Sequence, residues 1–143
     1  MIDLNDESIS LGCKADSKRA VLAIAAEYLE NNHFVTHGFY HALMERELEM
    51  STYVGAGIAI PHCSKKHIAL VSKTGHHIFQ FPDGVSWGNG KVAFIVIAVA
   101  AQKDEHITVL SELGSMLGDE LKTALLSQAS TKERFIEIFK QRD

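Results

Sequence analysis

Apolar residues along this chain follow two spacings, one helical and one extended. Val21, Leu22, Ile24, Ala25, Tyr28 and Leu29 recur at helical spacing behind Asp16 and Ser17, either of which can cap a helix running to about Glu30. Thr36 is a plausible cap for a second helix reaching about Met50, with Leu43, Met44 and Leu48 as its inner stripe. Glu45, Arg46, Glu47 and Glu49 read as its solvated face, with Arg46 a possible exception because this helix leads into the next strand. Extended segments are predicted at Ser8–Leu11, Ile58–Ile60 and His76–Phe81, and in a strand over Lys91–Ala101 that is apolar on both alternations. A strand buried on both faces belongs at the centre of a sheet covered by helices. Pro82-Asp83-Gly84 and Gly88-Asn89-Gly90 read as turns, with Val85 and Trp87 between them as an edge strand. Ile68–Val71 is a short apolar piece of undetermined type.

A helix is expected to start within Gln102–His106 and to carry Ile107, Leu110, Leu113, Met116 and Leu117 as its stripe. Gly118 closes it, and Glu120–Ser127 adds a further turn or two. Ser130 with Glu133 forms a capping box for a last helix bearing Phe135, Ile136, Ile138 and Phe139. The order of elements predicts one α/β domain over residues 1–143, with helices on both faces of a sheet.

Composition narrows the function. A formal net charge of −4 argues against wrapping nucleic acid, and 46% hydrophobic residues is ordinary for a globular protein. The longest apolar run, Val92–Ala101, is too short to span a bilayer, and the acidic first residues do not read as a signal peptide. No insertion into the membrane is expected, and the cytoplasm is the expected compartment. Cys13 and Cys63 have neither metal nor redox spacing.

Eight histidines direct attention to imidazole chemistry. His62 follows a strand that Pro61 terminates, since proline fixes φ and donates no ladder hydrogen bond. Gly55 and Gly57 permit positive φ just upstream. A structural hydrogen-bonding role for His62 is the competing reading. His106 also follows a strand, at the start of a helix whose backbone N–H groups favour anions. If the strands before His62 and His106 lie side by side and parallel, the two rings could converge. Arg46, arriving from the second helix, would add a planar fork for phosphate oxygens. One histidine as acceptor, one as orienter and one arginine as clamp would meet the needs of phosphoryl transfer without a metal. His33, His37 and His41 are spaced by four, but His33 precedes the expected helix, so a metal face there is disfavoured. His67, His76 and His77 read as surface or hydrogen-bonding residues, and Trp87 as packing.

From about Ile9 to Phe139 the chain resembles the enzyme IIA domain of the mannitol/fructose class of the phosphoenolpyruvate-dependent sugar phosphotransferase system. Gly57-Ile58-Ala59-Ile60-Pro61-His62 carries the resemblance most specifically. Arg46-Glu47-Leu48 with Thr52-Tyr53-Val54-Gly55, Phe81-Pro82-Asp83-Gly84-Val85 and Asp104-Glu105-His106-Ile107 support it, and favour the mannitol type over the nitrogen-regulatory type. The resemblance implies a three-layer α/β/α fold with a mixed sheet and no cofactor. It implies that His62 accepts phosphate from phospho-HPr and passes it to the cysteine of a cognate IIB domain. His106 would be the second active-site histidine and Arg46 would neutralise charge. A regulatory protein acting through phosphorylation-dependent binding is the alternative. The chain departs from the family pattern at Cys63, commonly Gly, and at Ala56, often polar or acidic. A thiol beside a phosphohistidine raises the question of redox sensitivity.

Overall fold

The computed structural model describes residues 4–103, 105, 108, 109, 111, 112 and 118–141. Five strands, β1 (Ile9–Ser10), β2 (Tyr53–Gly55), β3 (Ile58–Ala59), β4 (Gly75–Gly88) and β5 (Lys91–Ala100), form one sheet in the order β1-β4-β5-β3-β2. β1 runs parallel to β4 and β3 parallel to β5, while β4–β5 and β2–β3 are antiparallel, so the sheet is mixed. Helices α1 (Lys18–Asn31) and α2 (Phe39–Glu49) precede β2; α3 (Glu120–Gln128) and α4 (Lys132–Lys140) follow β5.

The sheet separates two apolar clusters, as a strand that is apolar on both alternations requires. Val21, Leu22 and Leu29 of α1 and Phe39 and Leu43 of α2 pack with Phe79, Val96 and Ala98. Ile78, Ile95, Ile97 and Val99 pack with Leu126 of α3 and Phe135, Ile138 and Phe139 of α4. The result is the expected three-layer α/β/α arrangement with a mixed sheet.

Local details differ from the sequence reading for identifiable reasons. Ser17 caps α1, accepting from Ala20 N. Thr36 does not cap α2; its N–H and hydroxyl both reach Leu70 O, and Gly38, at φ 98°, occupies the cap position instead. The inner stripe of α2 is Phe39, Ala42, Leu43 and Glu47, because the helical period set by Phe39 lands on Glu47. Leu48 then points outward and is 80% exposed. Thr131, not Ser130, caps α4, and Asp119 caps α3 as a separate helix.

Pro82-Asp83-Gly84 is not a chain reversal. It lies within the continuous strand β4, where the pairing with β5 shifts between Gln80 and Val85. A bulge of this kind absorbs the proline's missing donor without ending the ladder. Val85 and Trp87 continue the strand and are buried rather than lying along an exposed edge. Between β4 and β5 the chain reverses at Asn89-Gly90. Ile68–Val71 resolves into a 3₁₀ turn, Lys65–Leu70, and a bridge from Val71 to Val35. Beyond β5, Thr108, Val109, Ser111 and Glu112 are helical, as expected of that region. Asp104, His106, Ile107, Leu110, Leu113, Met116 and Leu117 lie outside the described residues.

Candidate active site

β3 is short and buried, and its placement decides where His62 sits. Immediately before it, Gly55, Ala56 and Gly57 all take positive φ, 100°, 54° and 80°. The two glycines adopt this freely, whereas Ala56 holds a conformation that L residues disfavour. The turn reverses β2 into β3 and leaves Tyr53 opposite Ala59. Tyr53 staples it, its hydroxyl accepting from Gly57 N at 2.9 Å and donating to Val92 O at 3.3 Å. On the other side Phe94 N donates to Gly57 O at 2.8 Å.

Past Ala59 the chain stays paired on both sides. Ile60 N donates to Thr52 O and Val99 N donates to Pro61 O, each at 2.9 Å. The backbone carrying His62 is therefore held by β5 on one flank and by the residues before β2 on the other. Because β3 and β5 are adjacent and parallel, their carboxyl ends open at the same edge of the sheet. The sequence-level condition for His62 and the post-β5 segment to converge is met. His106 itself lies outside the described residues. Around it, Thr74 Oγ1 ties the segment down, accepting from Gln102 N at 2.9 Å and donating to Glu105 Oε1 at 3.0 Å.

The half-buried His62 ring turns back on its own strand, with Nδ1 2.8 Å from Ile60 O. A carbonyl oxygen only accepts, so Nδ1 carries the proton in this contact. In the neutral ring Nε2 then carries the lone pair. An imidazole fixed in this tautomer presents one defined nucleophilic nitrogen.

Arg46 lies in the last turn of α2, and its guanidinium donates to Met50 O. Beyond this turn, Thr52 O accepts from Ile60 N at 2.9 Å, which links the connection after α2 to the strand that carries His62. Glu47, the neighbour of Arg46, is the residue that sequence reasoning missed. Its side chain is 3% exposed and accepts from Thr52 N at 3.0 Å and Thr52 Oγ1 at 2.5 Å. Lys18 Nζ of α1 stands 3.4 Å away, over the face of Trp87. Burial pushes the Glu47 carboxyl up, but hydrogen bonds from Thr52 and Ser51 and the Lys18 charge outweigh it, leaving its pKa below the ordinary value. The available signal was position: Glu47 lies four residues after buried Leu43, with a hydroxyl residue just past the helix end.

Cys63, next to His62, turns into the α1/α2 core and is 2% exposed. Burial raises its thiol pKa above the ordinary value. A buried thiol of this kind is a poor nucleophile and a poor redox sensor, which answers the question its adjacency raised. Cys13 is likewise a free thiol.

The other histidines are placed elsewhere. His33 lies in the turn after α1 at φ 64°, His37 pairs with Glu30 before α2, and only His41 is on the helix. They do not share a helical face. His67 and Lys66 both pair with Glu45, and the hydrogen bond from Lys66, followed by that from His67, lowers the Glu45 pKa. His77 is buried in β4 and hydrogen-bonds Ser10 through Nε2 at 2.8 Å.

Comparisons with known proteins agree with the fold. The family model described as "Phosphoenolpyruvate-dependent sugar phosphotransferase system, EIIA 2" matches residues 4–142. A multiphosphoryl transfer protein of Haemophilus influenzae is 37% identical over 138 residues, covering 96% of this chain and 28% of that protein. The mannitol-specific phosphotransferase enzyme IIA component of Geobacillus stearothermophilus is 30% identical over 138 residues, covering 96% of this chain and 95% of that one. Among solved structures, the complex of enzyme IIA mannitol and phosphorylated enzyme IIB mannitol from Escherichia coli superposes with a TM-score of 0.90. It is 32% identical and covers 99% of this chain and 100% of that one. The chain spans 28 to 35% of the length of the multiphosphoryl transfer proteins it matches.

Proposed function

Because the chain belongs to the EIIA-2 family of the phosphoenolpyruvate-dependent sugar phosphotransferase system, we propose that it is a phosphoryl carrier with His62 as acceptor. The donor is phospho-HPr and the onward acceptor is a IIB domain of a sugar or sugar-alcohol permease, of mannitol type. The contact between His62 Nδ1 and the Ile60 carbonyl carries this reading, because it leaves Nε2 with the electron pair that attack requires.

The Nε2 lone pair attacks phosphorus on the donor's phosphohistidine. The donor P–N bond breaks, its electron pair returns to the donor imidazole, and a P–Nε2 bond forms on His62. In the second half, the IIB cysteine thiolate attacks phosphorus and Nε2 recovers its pair. Through both halves the proton stays on Nδ1 and is donated to Ile60 O, spreading the positive charge that the ring gains on phosphorylation. No group outside the protein chains is needed for these steps. Arg46 supplies positive charge toward the phosphoryl oxygens, and the family resemblance assigns the role of second imidazole to His106. An in-line transfer depends mainly on alignment and on charge around the three equatorial oxygens. A strand clamped on both flanks supports the alignment, and Arg46 is assigned the charge.

Incubation with phosphoenolpyruvate, enzyme I and HPr is expected to add one acid-labile phosphate, and His62→Gln to abolish it. Label persisting on His62→Gln overturns the assignment. His106→Gln is expected to keep the label but transfer it more slowly. The regulatory alternative is separated by offering the phospho-form a panel of IIB domains: transfer to one of them supports the carrier, and transfer to none supports regulation.

A further inference from the structure

We propose that Glu47 and Thr52 form a clasp that positions His62 and Arg46 for phosphoryl transfer, an inference that rests on His62 being the acceptor.

Glu47 is an acid turned inward on α2, one residue after Arg46. It accepts from both the backbone N–H and the hydroxyl of Thr52, closing the short connection between α2 and β2. Thr52 is itself buried. Its carbonyl accepts from Ile60 N, and the Ile60 carbonyl accepts from His62 Nδ1. The carboxylate is thus three hydrogen-bonded links from the acceptor ring. A shift of Thr52 moves the Ile60 peptide, and the Ile60 peptide sets both the direction of the ring and its tautomer.

The same clasp fixes Arg46. Residues 50–52 cross from helix to strand in the space between Glu47 and Thr52, and the Arg46 guanidinium is anchored on Met50 O within that crossing. Lys18 of α1 stands 3.4 Å from Oε2, the oxygen that accepts from Thr52 N, so the clasp is also tied to the adjacent helix. A buried acid that accepts two hydrogen bonds and faces an ammonium is rigid, because each of its partners would be left unsatisfied if it turned away. Glu47 touches no substrate in this arrangement. It acts through Thr52 and Ile60 and is a positioning residue.

Thr52→Val, Thr52→Ser and Glu47→Gln test the proposal in the full chain, using phospho-HPr as donor. Valine keeps the β-branched shape of threonine and removes only the hydroxyl, while serine restores it. Misplacement of a reacting group by about 1 Å costs up to about a hundredfold in rate, so Thr52→Val is expected to lower kcat about tenfold or more. KM for phospho-HPr should be unchanged, and Thr52→Ser should recover the rate to within about twofold of the parent chain. In ¹⁵N spectra of the neutral His62 ring, Thr52→Val is expected to lower the population protonated at Nδ1. Glu47→Gln should do the same, and if it fails to fold, the threonine pair still decides the matter. Folded Thr52→Val that transfers at the parent rate with unchanged His62 ¹⁵N shifts overturns the clasp. So does Thr52→Ser that fails to rescue. If His62→Gln still takes label, the acceptor assignment has failed instead.

Discussion

His77 makes the acid limb of this protein's stability calculable. The ring is 2% exposed in β4, tilted at 31° against Tyr28 with 3.7 Å between centroids, and hydrogen-bonded to Ser10 at 2.8 Å. Burial, with smaller contributions from His76 and Lys132, lowers its pKa from 6.5 to about 4. The folded state therefore binds the proton less readily than the unfolded chain. The stability tied to a neutral His77 is fully present above about pH 6.5 and is lost as pH falls toward 4. One pKa unit corresponds to ~1.4 kcal/mol, so complete protonation withdraws about 3 kcal/mol, of which about 2 to 3 is gone by pH 4.5. Set against a typical total of about 5 to 15 kcal/mol, this is a large share. His77→Gln removes the titration while leaving an amide able to reach Ser10. Urea unfolding of both chains at pH 7 and 4.5 isolates the effect, since the other titrating groups cancel between them. The variant is expected to lose about 2 to 3 kcal/mol less on acidification than the parent, whatever its starting stability. Parallel losses, equal within about 0.5 kcal/mol, would refute the reasoning, as would an NMR titration in which the His77 ring protonates near pH 6.5.

Gly84→Ala places a Cβ 2.6 Å from Val92 Cγ1 and 3.0 Å from Phe94 at φ 76°, and is expected to lower the urea midpoint by the equivalent of about 2 kcal/mol or more; a near-neutral result would show that the bulge relaxes freely. Iodoacetamide treatment of the native chain should modify partly exposed Cys13 well before buried Cys63, and labelling of Cys63 at the rate of a free thiol would contradict its placement in the core. Arg46→Gln should lower kcat/KM for transfer from phospho-HPr about tenfold or more, with Arg46→Lys recovering part of it, since the charge survives but the fork does not; an unchanged rate would remove Arg46 from the site.

The layers of the fold were legible because the strongest pattern in the chain, the apolar run of β5, has only one physical solution, a central strand covered on both faces. The adjacency of β3 and β5 was stated only as a condition, since pairing between strands distant in sequence leaves no local mark. Pro82-Asp83-Gly84 was misread for a related reason. Its composition satisfies both a turn and a bulge, and only the continued pairing of Val85 and Ser86 with β5 separates them. His62 was legible through Pro61, which fixes where the strand stops. The tautomer was not, because it depends on where the Ile60 carbonyl points. Glu47 was hidden by its type: charge suggested solvent, and the helical period that buries it became clear only once Phe39 was known to start the helix. Ala56 gave no sign of its positive φ, which the glycines on either side impose on it.

The most direct test of the account is to phosphorylate ¹⁵N-labelled protein with phosphoenolpyruvate, enzyme I and HPr and record long-range ¹H–¹⁵N spectra of the histidine rings. The account predicts a single phosphohistidine, His62, with phosphorus bonded to Nε2 and the proton retained on Nδ1. Phosphate on Nδ1 of His62, or on any other histidine, would contradict it.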